Sequence, residues 1–164
     1  MLEPEVSLIE KYLQIVRKCF TMTNIRCKGR KEIDLLAVNP RNGDKFHIES
    51  SVHTKPKLNL NELAKLAKEK FNDSRVTEEI KEFFGESEYK KWLVVSPQDV
   101  NQELNEYARK LGIEIWYIDV MVSMIMRKMD RFGSRDTIIR MLEIVKLLEK
   151  WQIKHRGQLT FEKP

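Results

Sequence analysis

The sequence predicts an α/β fold with a mixed central sheet flanked by helices, followed by C-terminal helices. Three observations point there. A helix-period segment opens the chain, three short apolar β-type runs follow in succession between Thr21 and His53, and helical and β patterns then alternate up to Ile118.

Glu5 to Phe20 carries Val6, Ile9, Leu13, Val16 and Phe20 at helical spacing, with Pro4 at the start, where a missing amide proton costs little. Thr21 to Cys27 reads as a first strand, Gly29 and Arg30 as a turn, and Lys31 to Asn39 and Lys45 to His53 as the second and third strands. The intervening Asn39 to Asp44, NPRNGD, is a turn cluster, so these last two runs form an antiparallel hairpin. A loop with Lys55, Pro56 and Lys57 follows. Asn59 or Asn61 then caps a helix through about Phe71 with Leu63, Leu66 and Ala67 facing inward.

Val76 to Phe84 is a second helical segment, closed by Gly85. Trp92 to Val95 reads as a buried strand, Asp99 to Leu111 as an amphipathic helix stopped at Gly112, and Ile113 to Ile118 as a last strand. Beyond it come Val120 to Met129, rich in methionine, a break at Gly133-Ser134, and Asp136 to Trp151 with Ile138, Ile139, Leu142, Val145 and Leu148 at helical spacing. The expected organisation is a core over residues 1–118, a helical extension over 119–153 that packs on the core or forms a homodimer contact, and a polar tail over 154–164.

Composition narrows the function classes. With 164 residues and 41% hydrophobic content the chain supports one domain with its own core. No apolar run approaches the ~20 residues that span a bilayer, and MLEPEVSLIEKYL carries acids where a signal peptide has basic and then apolar residues. The expectation is a cytoplasmic protein with no membrane partner. Cys19 and Cys27 have no second pair and the three histidines complete no zinc pattern, so both thiols are expected reduced and packed. Thirty Lys and Arg against 25 acids give a net charge of +5, which favours polyanionic partners.

The chemistry concentrates in Lys31 to Val52, KEIDLLAVNPRNGDKFHIESSV. Asp34 and Glu49 are each embedded among β-type apolar residues, where an acid needs a partner. Alternation along the strands puts Asp34 on a face with Glu32 and Leu36, and Glu49 on a face with His47, Ser51 and His53. A register that sets Asp34 beside Glu49 brings two carboxylates together. They repel unless a cation lies between them, and an oxygen-only ligand set suits a hard ion, Mg2+ or Mn2+.

At these residues the sequence resembles the PD-(D/E)xK nuclease superfamily, the restriction-endonuclease-like fold, and in particular its Holliday-junction-resolvase and RecB-like branches. Asn24, Gly29 and Glu32-Ile33-Asp34-Leu35-Leu36 resemble the second-strand motif with its lead-in, and Ile48-Glu49-Ser50-Ser51-Val52 resembles the E-x-K strand. The order of elements from Pro4 to Tyr117 matches the αβββαβ core of that family with one further strand.

The resemblance implies a magnesium-dependent DNA endonuclease. Asp34, Glu49 and the backbone carbonyl of Ser50 would hold the ion, and an acid from the first helix, Glu5 or Glu10, would complete the site. At Ser51 the chain departs from the pattern, since the family has lysine there. A serine hydroxyl donates one hydrogen bond but brings no positive charge, so a cation from elsewhere must substitute or the site does not cut. Lys55, Lys65, Lys68 and His53 are the candidates by position.

Arg26, Lys28, Arg30 and Lys31 precede the acids and Lys55 and Lys57 follow them, a basic ring able to hold phosphates without reading sequence. Trp92, Trp116 and Trp151 fall within regular elements, where core packing is expected rather than base stacking. Two alternatives stand beside the nuclease: a catalytically impaired nuclease-fold module that binds nucleic acid or a protein partner, and acids that serve structure alone.

Overall fold

Pro4 opens helix α1, Pro4–Ile15, and the buried residues Val6, Ile9, Tyr12 and Leu13 form its inner stripe. The sequence pattern extends that helix to Phe20, but the chain leaves it at Val16. Lys18 turns the backbone with a φ of 59°, and the Cys19 amide reaches back to the Leu13 carbonyl at 2.9 Å, satisfying a helix-end acceptor. Phe20 begins a strand and is 73% exposed, so its helical spacing is coincidental.

The computed structural model describes residues 3–52, 58–129 and 135–154, with side chains up to residue 147. His53, Lys55, Lys57 and the side chain of Trp151 lie outside the described residues. The chain divides into two compact units, residues 1–125 and 126–164. The first unit therefore takes in most of helix α5, Ile118–Lys128, with its buried Met121 and Ile125. In the second unit helix α6, Thr137–Lys154, places its Lys146 ammonium on the Met126 and Met129 carbonyls at 2.7 and 3.0 Å.

Five strands form one mixed sheet in the order β1-β2-β3-β4-β5: Phe20–Cys27, Lys31–Val38, Lys45–Ser51, Lys90–Val95 and Ile113–Tyr117. The first three pair antiparallel, as short turns require, and β3-β4 and β4-β5 pair parallel. The hairpin turn is closed by Asn39 and Asp44, whose amide and carbonyl bond at 2.8 Å. Gly43 supplies the positive φ of 76° that this turn needs.

Both parallel connections run in the same direction across the sheet, so right-handed crossovers put their helices on one face. These are α2, Leu60–Leu66, α3, Ser74–Phe84, and α4, Gln102–Lys110. Asn59 caps α2 in a reciprocal capping box with Glu62, Asp73 caps α3 and Asn101 caps α4. The first cap resolves the choice between Asn59 and Asn61. The other two move helix starts relative to the sequence expectation, because short polar side chains took the orphan amides ahead of Val76 and after Asp99.

Leu63, Ala67 and Phe71 pack with Leu93, Val95, Leu104, Ala108 and Ile113 on that face. On the other face Trp92 stacks on Trp116 with ring centroids 4.3 Å apart, Phe46 lies 4.6 Å from Trp92, and Tyr12 of α1 meets Trp116. Both tryptophans are thus packing residues. Trp92 is among the largest fully buried side chains. Trp92→Ala is expected to lower the unfolding free energy by about 3–5 kcal/mol, read from a urea transition, and a loss below about 1 kcal/mol contradicts this packing.

Candidate functional site

The β2-β3 ladder pairs Val38 with Lys45, Ala37 with Phe46, Leu36 with His47 and Leu35 with Ile48, and the next step places Asp34 across from Glu49. The sequence expectation of two acids on one face is therefore met. They are handled differently by the backbone. Asp34 accepts the Ser50 amide on Oδ2 at 2.8 Å, whereas the Glu49 side chain, 1% exposed, sits under the crossover helices.

A lysine closes the group. The Lys70 ammonium lies 2.9 Å from Glu49 Oε2 and 3.4 Å from Asp34 Oδ1, and it also meets the Glu32 carbonyl at 3.3 Å. The contact with Oε2 is at ion-pair distance without an aligned hydrogen bond. Glu49 Oε1 is held by His47 Nε2 at 2.8 Å.

Lys70 reaches the acids because α2 changes pitch. Residues Ala67–Phe71 continue it as a π turn. The wider turn rotates residues back relative to an α-helix, bringing Phe71 into line with Leu63 and Ala67 and leaving Lys70 on the flank of that buried stripe. Phe71 then packs on the His47 ring at 4.8 Å. Lys65 and Lys68, the lysines expected by position on this helix, are exposed. In the sequence, Lys70 continues the inward spacing of Leu63, Leu66 and Ala67.

The charges perturb one another. Burial, then the lysine and aspartate working against it, leaves the Glu49 carboxyl raised to about 7. Burial and the neighbouring Glu49 raise Asp34, with the Ser50 amide and Lys70 opposing. Burial works against the Lys70 ammonium, but Glu49 and Asp34 outweigh it and the group titrates above its ordinary value. Burial lowers His47 to about 3, so the ring is neutral near pH 7. Opposed shifts of this kind in one cluster mark functional sites more often than chance.

Other expected residues fall around this centre. Ser50 pairs with Val94 and Ser51 with Val95 in the β3-β4 ladder. Ser51 lines a cavity of about 330 Å³ together with Leu58, Glu62, Lys65, Leu66, Glu69 and Asp99. Glu10 is bound elsewhere: its Oε1 accepts the Thr21 hydroxyl at 3.0 Å, and Thr21 pairs with Ala37, on the face opposite Asp34. No hydrogen bond or ion pair joins the half-buried Glu5 to either acid among the described residues.

Arg26, Lys28 and Arg30 are exposed at the β1-β2 turn, while Lys31 binds the Glu69 carbonyl at 3.4 Å and lies 3.7 Å from Asp73. The turn is tight. Gly29 has a φ of 74°, and a Cβ there would stand 2.5 Å from the Arg75 guanidinium, which is itself locked onto Asp73 at 3.0 and 2.8 Å. Asn24, opposite Asp34 by count, takes a left-handed φ of 53°.

Among the described residues no group of three or more His, Cys, Asp and Glu is disposed to hold a metal. Asp34 Oδ1 and Glu49 Oε2, both in contact with Lys70, form a pair of oxygen donors, the second buried and with no aligned hydrogen bond among the described residues. That set fits magnesium, which is usually held by one or two carboxylates with water and substrate phosphate filling the rest. Among the described residues no helix is long and apolar enough to cross a membrane.

No family model matches the chain. No curated protein matches it either. A solved structure described as Protein of Unknown Function AF1548 is similar to it, with a TM-score of 0.53 and 21% identity over 74% of this chain. The chain spans 66% of that protein's length. At this identity the likeness shows a shared α/β fold and nothing about activity.

A raised carboxyl has a stability signature. Glu49 holds a proton in the folded chain between its ordinary 4.5 and about 7 and lacks it when unfolded, so its contribution is full below pH 4.5 and is lost as pH rises to 7. His47 contributes the opposite slope, lost as pH falls from 6.5 toward 3. The stability of the wild type relative to Glu49→Gln is thus expected to decline by a few kcal/mol between pH 4.5 and 7 in metal-free buffer, measured by urea unfolding. A difference that is flat with pH contradicts the assignment.

Proposed function

We propose that the chain is a restriction-endonuclease-like, magnesium-dependent nuclease acting on DNA, in which Lys70 supplies the cation that Ser51 lacks. The observation that carries this reading is the ammonium of Lys70 at 2.9 Å from Glu49 and 3.4 Å from Asp34. The family pattern needs two acids and a lysine at one point, and a lysine from the crossover helix delivers the same charge to that point as one on the third strand.

Asp34 and Glu49 are the residues that would hold the ion. When bound, magnesium supplies Lewis acidity toward a phosphate oxygen and acidifies water at neutral pH. Asp34 is fixed by the Ser50 amide on Oδ2, so its Oδ1, which meets the Lys70 ammonium at 3.4 Å, is aimed before any ligand arrives. The Lys70 ammonium moves from neutralising the acids to meeting negative charge that develops on the phosphate, the task for which a preorganised donor gains most. Lys28 and Arg30, exposed just ahead of β2, would hold the flanking backbone. Of the two first-helix acids the resemblance offers, Glu5 is the one that would be left for the site, since Glu10 is tied to Thr21.

The rival reading is a module that binds nucleic acid or protein without cutting. It has one observation in its favour: Lys70 occupies the place between the carboxylates and neutralises them without a metal. The C-terminal helix supports a homodimer contact in either reading, because Met141, Ile144 and Val145 stand exposed at helical spacing on α6.

Cleavage of a mixed set of duplex, branched and single-stranded DNA separates the two. The nuclease reading expects magnesium-stimulated cleavage that Asp34→Ala abolishes and Lys70→Met slows about 100- to 1,000-fold, while DNA binding survives both. Salt-sensitive binding with no cleavage of any substrate by the wild type overturns it in favour of the module.

A further inference from the structure

His47 is fully buried, and its polar atoms are unevenly served. Nε2 bonds to Glu49 Oε1 at 2.8 Å, while Nδ1 has no hydrogen-bond partner among the described residues. The ring is wedged between Phe71, with centroids 4.8 Å apart, and Tyr89, at 6.2 Å. An unpaired ring nitrogen in an apolar setting is costly, and an aliphatic side chain there would avoid it. The bond to Glu49 is therefore the polar contact that must offset it.

That contact divides the Glu49 carboxylate. With Oε1 taken by the ring, only Oε2 faces the Lys70 ammonium and Asp34 Oδ1. A glutamate free to turn could present either oxygen or both, and would give the ion a softer, variable seat. Here the side chain is pinned from one side by a group that is itself wedged by two rings.

We infer that His47 is a positioning residue that donates from Nε2 to Glu49 Oε1 and makes Glu49 a one-oxygen ligand, presenting Oε2 to a divalent cation. This rests on the metal site proposed above. The bond demands one tautomer: with an ionised carboxylate as acceptor, the ring proton must be on Nε2 and Nδ1 left bare. Partners of this kind, which orient a ligand without touching the ion, typically govern affinity by 10- to 100-fold.

The test uses the full chain with Mn2+ as probe and two readouts. Calorimetric titration is expected to show Mn2+ binding weakened about 10- to 100-fold in His47→Leu and in His47→Asn, whose amide is too short to reach Oε1. His47→Gln, whose amide reaches it, is expected to bind within a few-fold of wild type. Long-range proton–nitrogen NMR of the metal-free wild type at pH 8.5, where Glu49 is ionised, is expected to show the neutral Nε2-H tautomer. A merely structural histidine would lower the melting temperature of all three variants without ordering their Mn2+ affinities this way. Unchanged affinity in His47→Leu or His47→Asn, or an Nδ1-H ring, overturns the inference and leaves the metal site standing. Absence of Mn2+ binding in the wild type overturns the metal site itself, and the tautomer then reports only how the ring holds Glu49.

Discussion

A carboxylate placed 1% exposed on a central strand cannot be left alone, and the neighbourhood of Glu49 is arranged around that constraint. The acid lies on β3, which is paired on both sides and covered by the crossover helices, so almost none of it meets bulk solvent. One oxygen is met by His47 and the other by Lys70, and Asp34 is drawn in by the Ser50 amide to share the lysine. Each of these partners comes from a different reach of the chain, so the cluster ties the hairpin to the helix that follows it.

The π turn is the device that makes this possible. An uninterrupted α-helix would turn Lys70 toward the centre of the stripe and Phe71 toward its edge. Widening the last turn exchanges the two, so that an aromatic ring fills the core beside His47 and the ammonium reaches the acids from the flank. Packing and charge placement are thus solved by one local change of pitch. The same change explains how a chain with serine at position 51 retains a cation among its acids.

Much of this was legible in the sequence. The hairpin announced itself through the NPRNGD turn and the alternation on either side, and because side chains repeat every second residue the facing of Asp34 and Glu49 hung on the register, which the strand pairing supplies. The end of α1 was not legible, since Val16 and Phe20 continue the helical spacing past the point where Lys18 turns the chain. Nor was Lys70. A lysine nearly three turns into an amphipathic helix is counted as surface by its chemistry, and only its α-helical spacing from Leu63, Leu66 and Ala67 marks it as inward. Helical spacing also misjudges a π segment, because the period itself changes within the element. Glu10 shows the converse: an acid near the buried stripe of α1 that the fold spends on Thr21, on the far face of the sheet.

In the proposed metal-dependent nuclease the space now bridged by Lys70 is a cation site shared with substrate. The decisive measurement is anomalous diffraction from a crystal of this protein soaked in Mn2+. One manganese peak in contact with Asp34 Oδ1 and Glu49 Oε2 is expected, with the Lys70 side chain displaced outward and Glu49 Oε1 still on His47. An unchanged Lys70 bridging the two acids, with no peak between them at saturating Mn2+, would contradict it.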